Sequence, residues 1–180
     1  SLNPLRHVGD LLAAIQSHQE HLDATTDHPL AGAERIDVGS VHGGDYFNRT
    51  PTRCTLMGTR RWCPGRNAQQ VLEEIEALAK PFALAGNLHL TVEMEHEREP
   101  FETPREDAAV CAVSHAHEMV TGDQADLVGL RIVGDANLYV HGCSVPTFYY
   151  GPSNETAHAD TEWVDIKRLH DAAAVYALTA

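Results

Sequence analysis

Apolar residues recur along this chain at two distinct spacings, and these spacings lay out its elements. Leu5, Val8, Leu11, Leu12, Ile15 and Leu22 fall on one face of a helix over residues 4–22. Val71, Leu72, Ile75, Leu78, Ala79 and Phe82 repeat the pattern in a second helix, for which Asn67 is the expected N-cap. Between these helices, residues 35–46 and 51–62 read as extended segments, the first ending near Gly43-Gly44 and the second broken by Pro64-Gly65. Residues 87–96 alternate, with Leu88, Leu90, Val92 and Met94 on one side and His89, Thr91, Glu93 and Glu95 on the other, as in a half-buried strand. The order helix, strand, strand, helix, strand predicts an α/β fold. Its first part is a ferredoxin-like antiparallel sheet with two helices on one face and the first strand missing.

Residues 97–103 read as a linker bracketed by Pro100 and Pro104. Thr103-Pro104-Arg105-Glu106 has the form of a capping box with Pro at the first helical position, which predicts a helix ending at Thr121 before Gly122. A strand over 127–133, a short helix over 135–141 and a strand over 145–150 follow. The last helix spans 164–178, with Ile166, Leu169, Ala173 and Tyr176 facing inward. This second part alternates helix and strand, and in such folds a loop at the carboxyl end of a strand is where ligand sites form.

Composition narrows the function. The 180 residues are 43% hydrophobic and 22% charged, which suits one or two small folded domains. A net charge of −13 argues against a nucleic-acid partner, because phosphate binding rests on cationic side chains. No apolar run is long enough to span a membrane. Cys54, Cys63, Cys111 and Cys143 form no Cys-x-x-Cys and read as thiols of a reducing, cytoplasmic compartment. Neither His18-Gln19-Glu20-His21 nor His115-Ala116-His117-Glu118 has the spacing of a helical zinc motif, so both read as polar helix faces.

Two segments carry candidate chemistry. In the first, Gly151-Pro152 opens a turn after the 145–150 strand, and His158, Asp160 and Glu162 follow. Zinc needs an imidazole held at a fixed orientation, usually on a rigid loop. From the residues alone, a single His in a polar loop is more often a surface side chain. The run Gly-Pro-x-Asn-x-Thr-x-His, here Gly151 to His158, resembles the C-terminal metal-histidine motif of two-zinc amide hydrolases. That family contains acetylornithine deacetylases, succinyl-diaminopimelate desuccinylases, aminoacylases and glutamate carboxypeptidases. The resemblance implies that His158 is a metal ligand and that Asn154 contacts substrate. Gly134-Asp135-Ala136 is similar to the family's small-residue-Asp-Ala signature, but departs from it in the residues before the Asp.

The second segment is Gly43-Gly44 through Asn48, Pro51 and Arg61 to Pro64-Gly65, which resembles the family's lid pattern. There the residues matching Asn48 and Arg61 reach the substrate's carbonyl and carboxylate, in some members across a dimer. The chemistry suits this, since Arg presents a planar fork to a carboxylate and an amide can orient a carbonyl.

The resemblance implies a lid or dimerisation domain over residues 1–97, then the C-terminal α/β segment of a zinc-peptidase catalytic domain over 98–180. It further implies a small carboxylate-bearing amide or peptide substrate, a homodimer formed through the lid, and two zinc ions per intact site, with cobalt or manganese as alternatives. The family's upstream His-x-Asp, bridging Asp and Glu-Glu pair have no counterpart here. The expectation is therefore a C-terminal portion of such an enzyme that contributes no catalytic acid or base, binds zinc weakly if at all, and is inactive alone. The alternative is a non-enzymatic dimerisation or ligand-binding module.

Overall fold

The computed structural model describes residues 2–152, 155–157 and 159–180. Among them are five helices and one two-stranded sheet. In chain order these are α1 (Leu5–Thr25), β1 (Arg35–Gly43), β2 (Cys54–Arg61), α2 (Ala68–Gly86), α3 (Ala108–Thr121), α4 (Ala136–Cys143) and α5 (Ile166–Thr179). They divide between two compact units. The first runs to Pro100 and includes Gly129–Ile132; the second comprises Phe101–Val128 and Val133–Ala180. No described helix is long and apolar enough to cross a membrane.

In the first unit, β1 and β2 pair antiparallel from Arg35 opposite Arg61 to Gly43 opposite Cys54, with an irregularity between Val38 and Ser40. A Cβ at Gly58 would overlap the Asp37 carbonyl oxygen, so the close approach of the two strands there requires glycine. α1 packs on α2 and on β1. Leu22, Ile36, Val71 and Ala79 are the buried apolar residues between them.

The predicted cap of α2 is present on both sides. The Asn67 side chain accepts from the Gln70 N–H, and the Gln70 side chain accepts from the Asn67 N–H, each at 3.0 Å. Asn67→Ala is expected to cost about 1 kcal/mol in urea denaturation, because both reciprocal bonds are lost at an exposed helix end. Residues 87–96 keep the alternation, with Val92 and Met94 half-buried and Thr91, Glu93 and Glu95 exposed. They form no ladder among the described residues, so the sheet has two strands where three were expected.

In the second unit, α3 packs against α5. α3 begins four residues beyond the expected Thr103 cap. Asp107 caps it by accepting from the Ala109 N–H at 2.9 Å, while the Thr103 hydroxyl donates to the Thr147 carbonyl and accepts from the Thr147 N–H. Gly122 ends the helix as expected, at φ 82°. Residues 127–133 and 145–150 form no strand among the described residues.

The inward face of α5 differs from the expected one. Ala172 and Val175 are buried, whereas Ile166, Leu169, Ala173 and Tyr176 are exposed. The α3 residues buried in this unit are Val110 and Ala116.

Candidate functional site

Asn48 and Arg61 both belong to the first unit, and the hairpin sets their separation. Asn48 lies in the β1–β2 loop, where it lines an open groove with Asn3, Leu5, Tyr46, Phe47 and Pro51. Asp45 and Arg49 close the loop with an ion pair at 2.7 Å, and the Arg49 N–H donates to the Tyr46 carbonyl. Arg61 ends β2 at the other extremity of the ladder. The strand from Cys54 to Arg61 takes seven residue steps, which at about 3.3 Å each is roughly 23 Å. A small ligand held by Asn48 therefore cannot also reach Arg61 of the same chain.

Arg61 is exposed, and its Nη1 donates to the Arg131 carbonyl at 2.6 Å. That carbonyl is placed by a crossing segment. The Gly129 N–H donates to the Leu30 carbonyl, and the Arg131 guanidinium donates to the carbonyls of Ala31 and Ala33. One face of the Arg61 fork is thereby fixed, which leaves further N–H groups directed at solvent.

The adjacent Arg60 is its opposite. Successive strand residues point to opposite faces, and the Arg60 side chain is only 3% exposed. It donates to Glu34 and, through Nε at 3.0 Å, to Glu74. Arg66 also bridges the two carboxylates, at 3.1 and 2.6 Å. His18 Nε2 lies 2.9 Å from Glu74, and the Cys63 N–H donates to Glu34. Two guanidiniums thus balance two carboxylates between α1, α2 and the hairpin.

This network was not expected from the sequence. His18 and its neighbours have the spacing of a polar helix face, yet Gln19 also turns inward, donating to the Glu34 carbonyl and accepting from the Ile36 N–H. The available signal was the strand alternation, which puts Arg60 on the Ile36 face, opposite Arg61.

Burial alone would raise the Glu74 carboxyl. Hydrogen bonds from Arg60, His18 and Arg66 overcome this and hold it at about 2. A carboxyl depressed in the folded state stabilises above its unfolded pKa, and that stability is lost as pH falls. The first unit is therefore expected to lose on the order of 2 kcal/mol, after solvent screening, between about pH 5 and pH 2. Glu74→Gln should flatten this part of a stability-versus-pH curve; an unchanged slope would remove Glu74 as its source.

His158 and Asn154 lie outside the described residues, and nothing is placed for them. Their described flanks are anchored. The Tyr150 hydroxyl meets His117 Nδ1 at 2.9 Å, and the Tyr150 carbonyl accepts from Tyr176. Burial, with Tyr176 and Asp171 nearby, raises the Tyr150 phenol above its ordinary value. Glu155 pairs with Arg168 at 2.9 Å. The Thr156 hydroxyl donates to the Trp163 carbonyl and accepts from its N–H, which joins the two ends of 156–163. Asp160 and Glu162 are exposed. Asp135 precedes α4 without a side-chain cap bond, and Ala136 and Asn137 beside it are buried.

Among the described residues, no three His, Cys, Asp or Glu side chains are grouped as a metal ion requires. They do not by themselves fit a two-metal centre.

Residues 7–180 match the sequence model of peptidase family M20/M25/M40. The chain belongs to this family. An acetylornithine deacetylase of Edwardsiella ictaluri is 29% identical over 164 residues, covering 90% of this chain and 39% of that protein. A succinyl-diaminopimelate desuccinylase of Nitrosospira multiformis is 26% identical over 143 residues, covering 79% and 36%. The fold resembles the crystal structure of an M20 family metallo-carboxypeptidase from Sulfolobus solfataricus, with a TM-score of 0.60 and 15% identity. That likeness covers 92% of this chain and 42% of the carboxypeptidase chain. The chain thus spans about two-fifths of the length of these M20 relatives.

Proposed function

We propose that this chain is the lid and C-terminal part of a metal-dependent M20 hydrolase that cleaves an N-acyl or peptide amide beside a free carboxylate. Membership of a metallopeptidase family supports the hydrolytic class, and the deacetylase and desuccinylase names of its relatives support the amide. In this reading the lid unit is ferredoxin-like, with 87–96 as its third strand. Zinc, or cobalt or manganese in its place, supplies Lewis-acid chemistry when bound, and His158 is this chain's ligand to it. Arg61 binds the substrate carboxylate, Asn48 orients the carbonyl, and Asn154 adds a further polar contact. The chain alone is inactive.

The observation that carries the arrangement is the hairpin register. Asn48 and Arg61 stand at opposite ends of the β1–β2 ladder, too far apart to share one small ligand. Both serve a single substrate only if two copies associate with their lids side by side, so that each site takes Arg61 from one chain and Asn48 from the other. The register supports the reading in which the lid is a homodimer contact and a second copy is part of the site.

The Arg61 role is testable on the chain itself. In an NMR titration with N-acetylglycine, the Arg61 Nε–Hε signal is expected to shift, and the methyl ester should leave it unmoved. Arg61→Ala should weaken carboxylate binding by roughly ten- to a hundredfold, the worth of a charge-assisted hydrogen bond. Equal response to acid and ester would remove Arg61 from this role.

A further inference from the structure

The β1–β2 loop displays two aromatic rings that the fold does not use. Phe47 is 88% exposed, more than any other large hydrophobic side chain among the described residues, and Tyr46 is 59% exposed. Their ring centroids lie 4.7 Å apart with planes tilted by 38°. Leaving a Phe in water forgoes about 1.5–3 kcal/mol of burial, so a loop that holds two rings together in solvent offers a prepared apolar surface.

The composition of the groove limits what suits that surface. Leu5 and Pro51 continue the apolar wall, and the two charges that line the groove, Asp45 and Arg49, pair with each other at 2.7 Å. The Asn48 amide follows the rings directly in sequence and lines the same groove. The groove therefore combines an aromatic wall with two amides, Asn3 and Asn48, the Thr50 hydroxyl and one internally paired set of charges. A small or charged acyl group would gain little from it, whereas a planar or long apolar group gains contact area and ring stacking.

We propose that Tyr46 and Phe47 are specificity-determining residues that receive an aromatic or long aliphatic acyl group of the substrate whose carbonyl Asn48 orients. This rests on the role given above to Asn48. It separates the chain's substrate from the acetyl and succinyl groups named for its relatives. The acyl group remains the electrophilic half of the amide: water adds to its carbonyl carbon, the C–N bond breaks, the amine leaves and the acyl group is released as a carboxylate, while Tyr46 and Phe47 only hold its apolar part and take no part in bond cleavage.

The test is a titration of the isotopically labelled 180-residue chain with N-benzoylglycine and, separately, N-acetylglycine, read at the backbone amides of Tyr46, Phe47 and Asn48. The benzoyl compound is expected to bind about tenfold more tightly, as an added aromatic contact allows. Replacing both rings, Tyr46→Ser with Phe47→Ser, should bring the two ligands to the same weak level. Both positions are exposed, and unchanged amide signals elsewhere would confirm the fold. Equal binding by the unmodified chain, a benzoyl preference that survives the double substitution, or no shift with either ligand would each overturn the proposal. Shifts at these amides that depend on protein concentration without ligand, and vanish with Phe47→Ser, would assign the rings to a second copy and overturn it as well. Failure of the carboxylate reading is distinct, because that reading is tested at Arg61, at the other end of the hairpin.

Discussion

Arg60→Met is expected to lower the unfolding free energy of the first unit by about 3–5 kcal/mol, the usual cost of leaving buried charge without its partner. The Arg60 side chain is 3% exposed and the Glu34 side chain 4%, so neither can turn to water without opening the unit. Met roughly fills the volume, so the loss is electrostatic. Two carboxylates would then share Arg66, which is 31% exposed and less able to offset their desolvation. Arg61→Met is the matched control one residue along. Its side chain is exposed, and the change should stay within about 0.5 kcal/mol. Trp62 reports on the first unit and Trp163 on the second, so urea denaturation followed by fluorescence in a Trp163→Phe background reads the relevant transition. A loss under about 1 kcal/mol for Arg60→Met would show that the network contributes little.

The regular parts of the fold were legible where one local rule decides them. The apolar stripes placed α1 and α2, Asn67 placed the start of α2, and Gly122 placed the end of α3. Contacts distant in sequence overrode local rules elsewhere. The Thr103 hydroxyl has the form of a cap but bonds to Thr147, 44 residues away, and α3 starts instead at an Asp107 cap. α5 has apolar residues on more than one face, and the buried one, with Ala172 and Val175, is set by tertiary packing that periodicity does not specify. For 87–96 the alternation is visible in sequence, but a ladder needs a neighbouring strand that periodicity does not supply.

The site divides the same way. The resemblance of the Gly43-to-Gly65 segment to the family's lid pattern led to Asn48 and Arg61. Their placement at opposite ends of the hairpin follows only from the register that pairs Arg35 with Arg61. The buried role of Arg60 was equally hidden, since its partners Glu34 and Glu74 lie 26 and 14 residues away. Asn154 and His158 were reached through the loop motif alone.

Mixing two inactive variants tests the central claim most directly. In an active hydrolase assembly containing this chain, Asn48→Ala and Arg61→Ala should each lower kcat/KM by roughly a hundredfold, because each removes a polar contact from every site. In a heterodimer of the two variants, one site receives Arg61 from the Asn48→Ala chain and Asn48 from the Arg61→Ala chain, and is whole. The other site lacks both. Random reassortment makes about half of the dimers heterodimers, so activity should return to about a quarter of the unmodified level. Recovery to about a quarter would place the two residues in one site across two copies. Activity that stays at the level of the separate variants after reassortment would contradict the account.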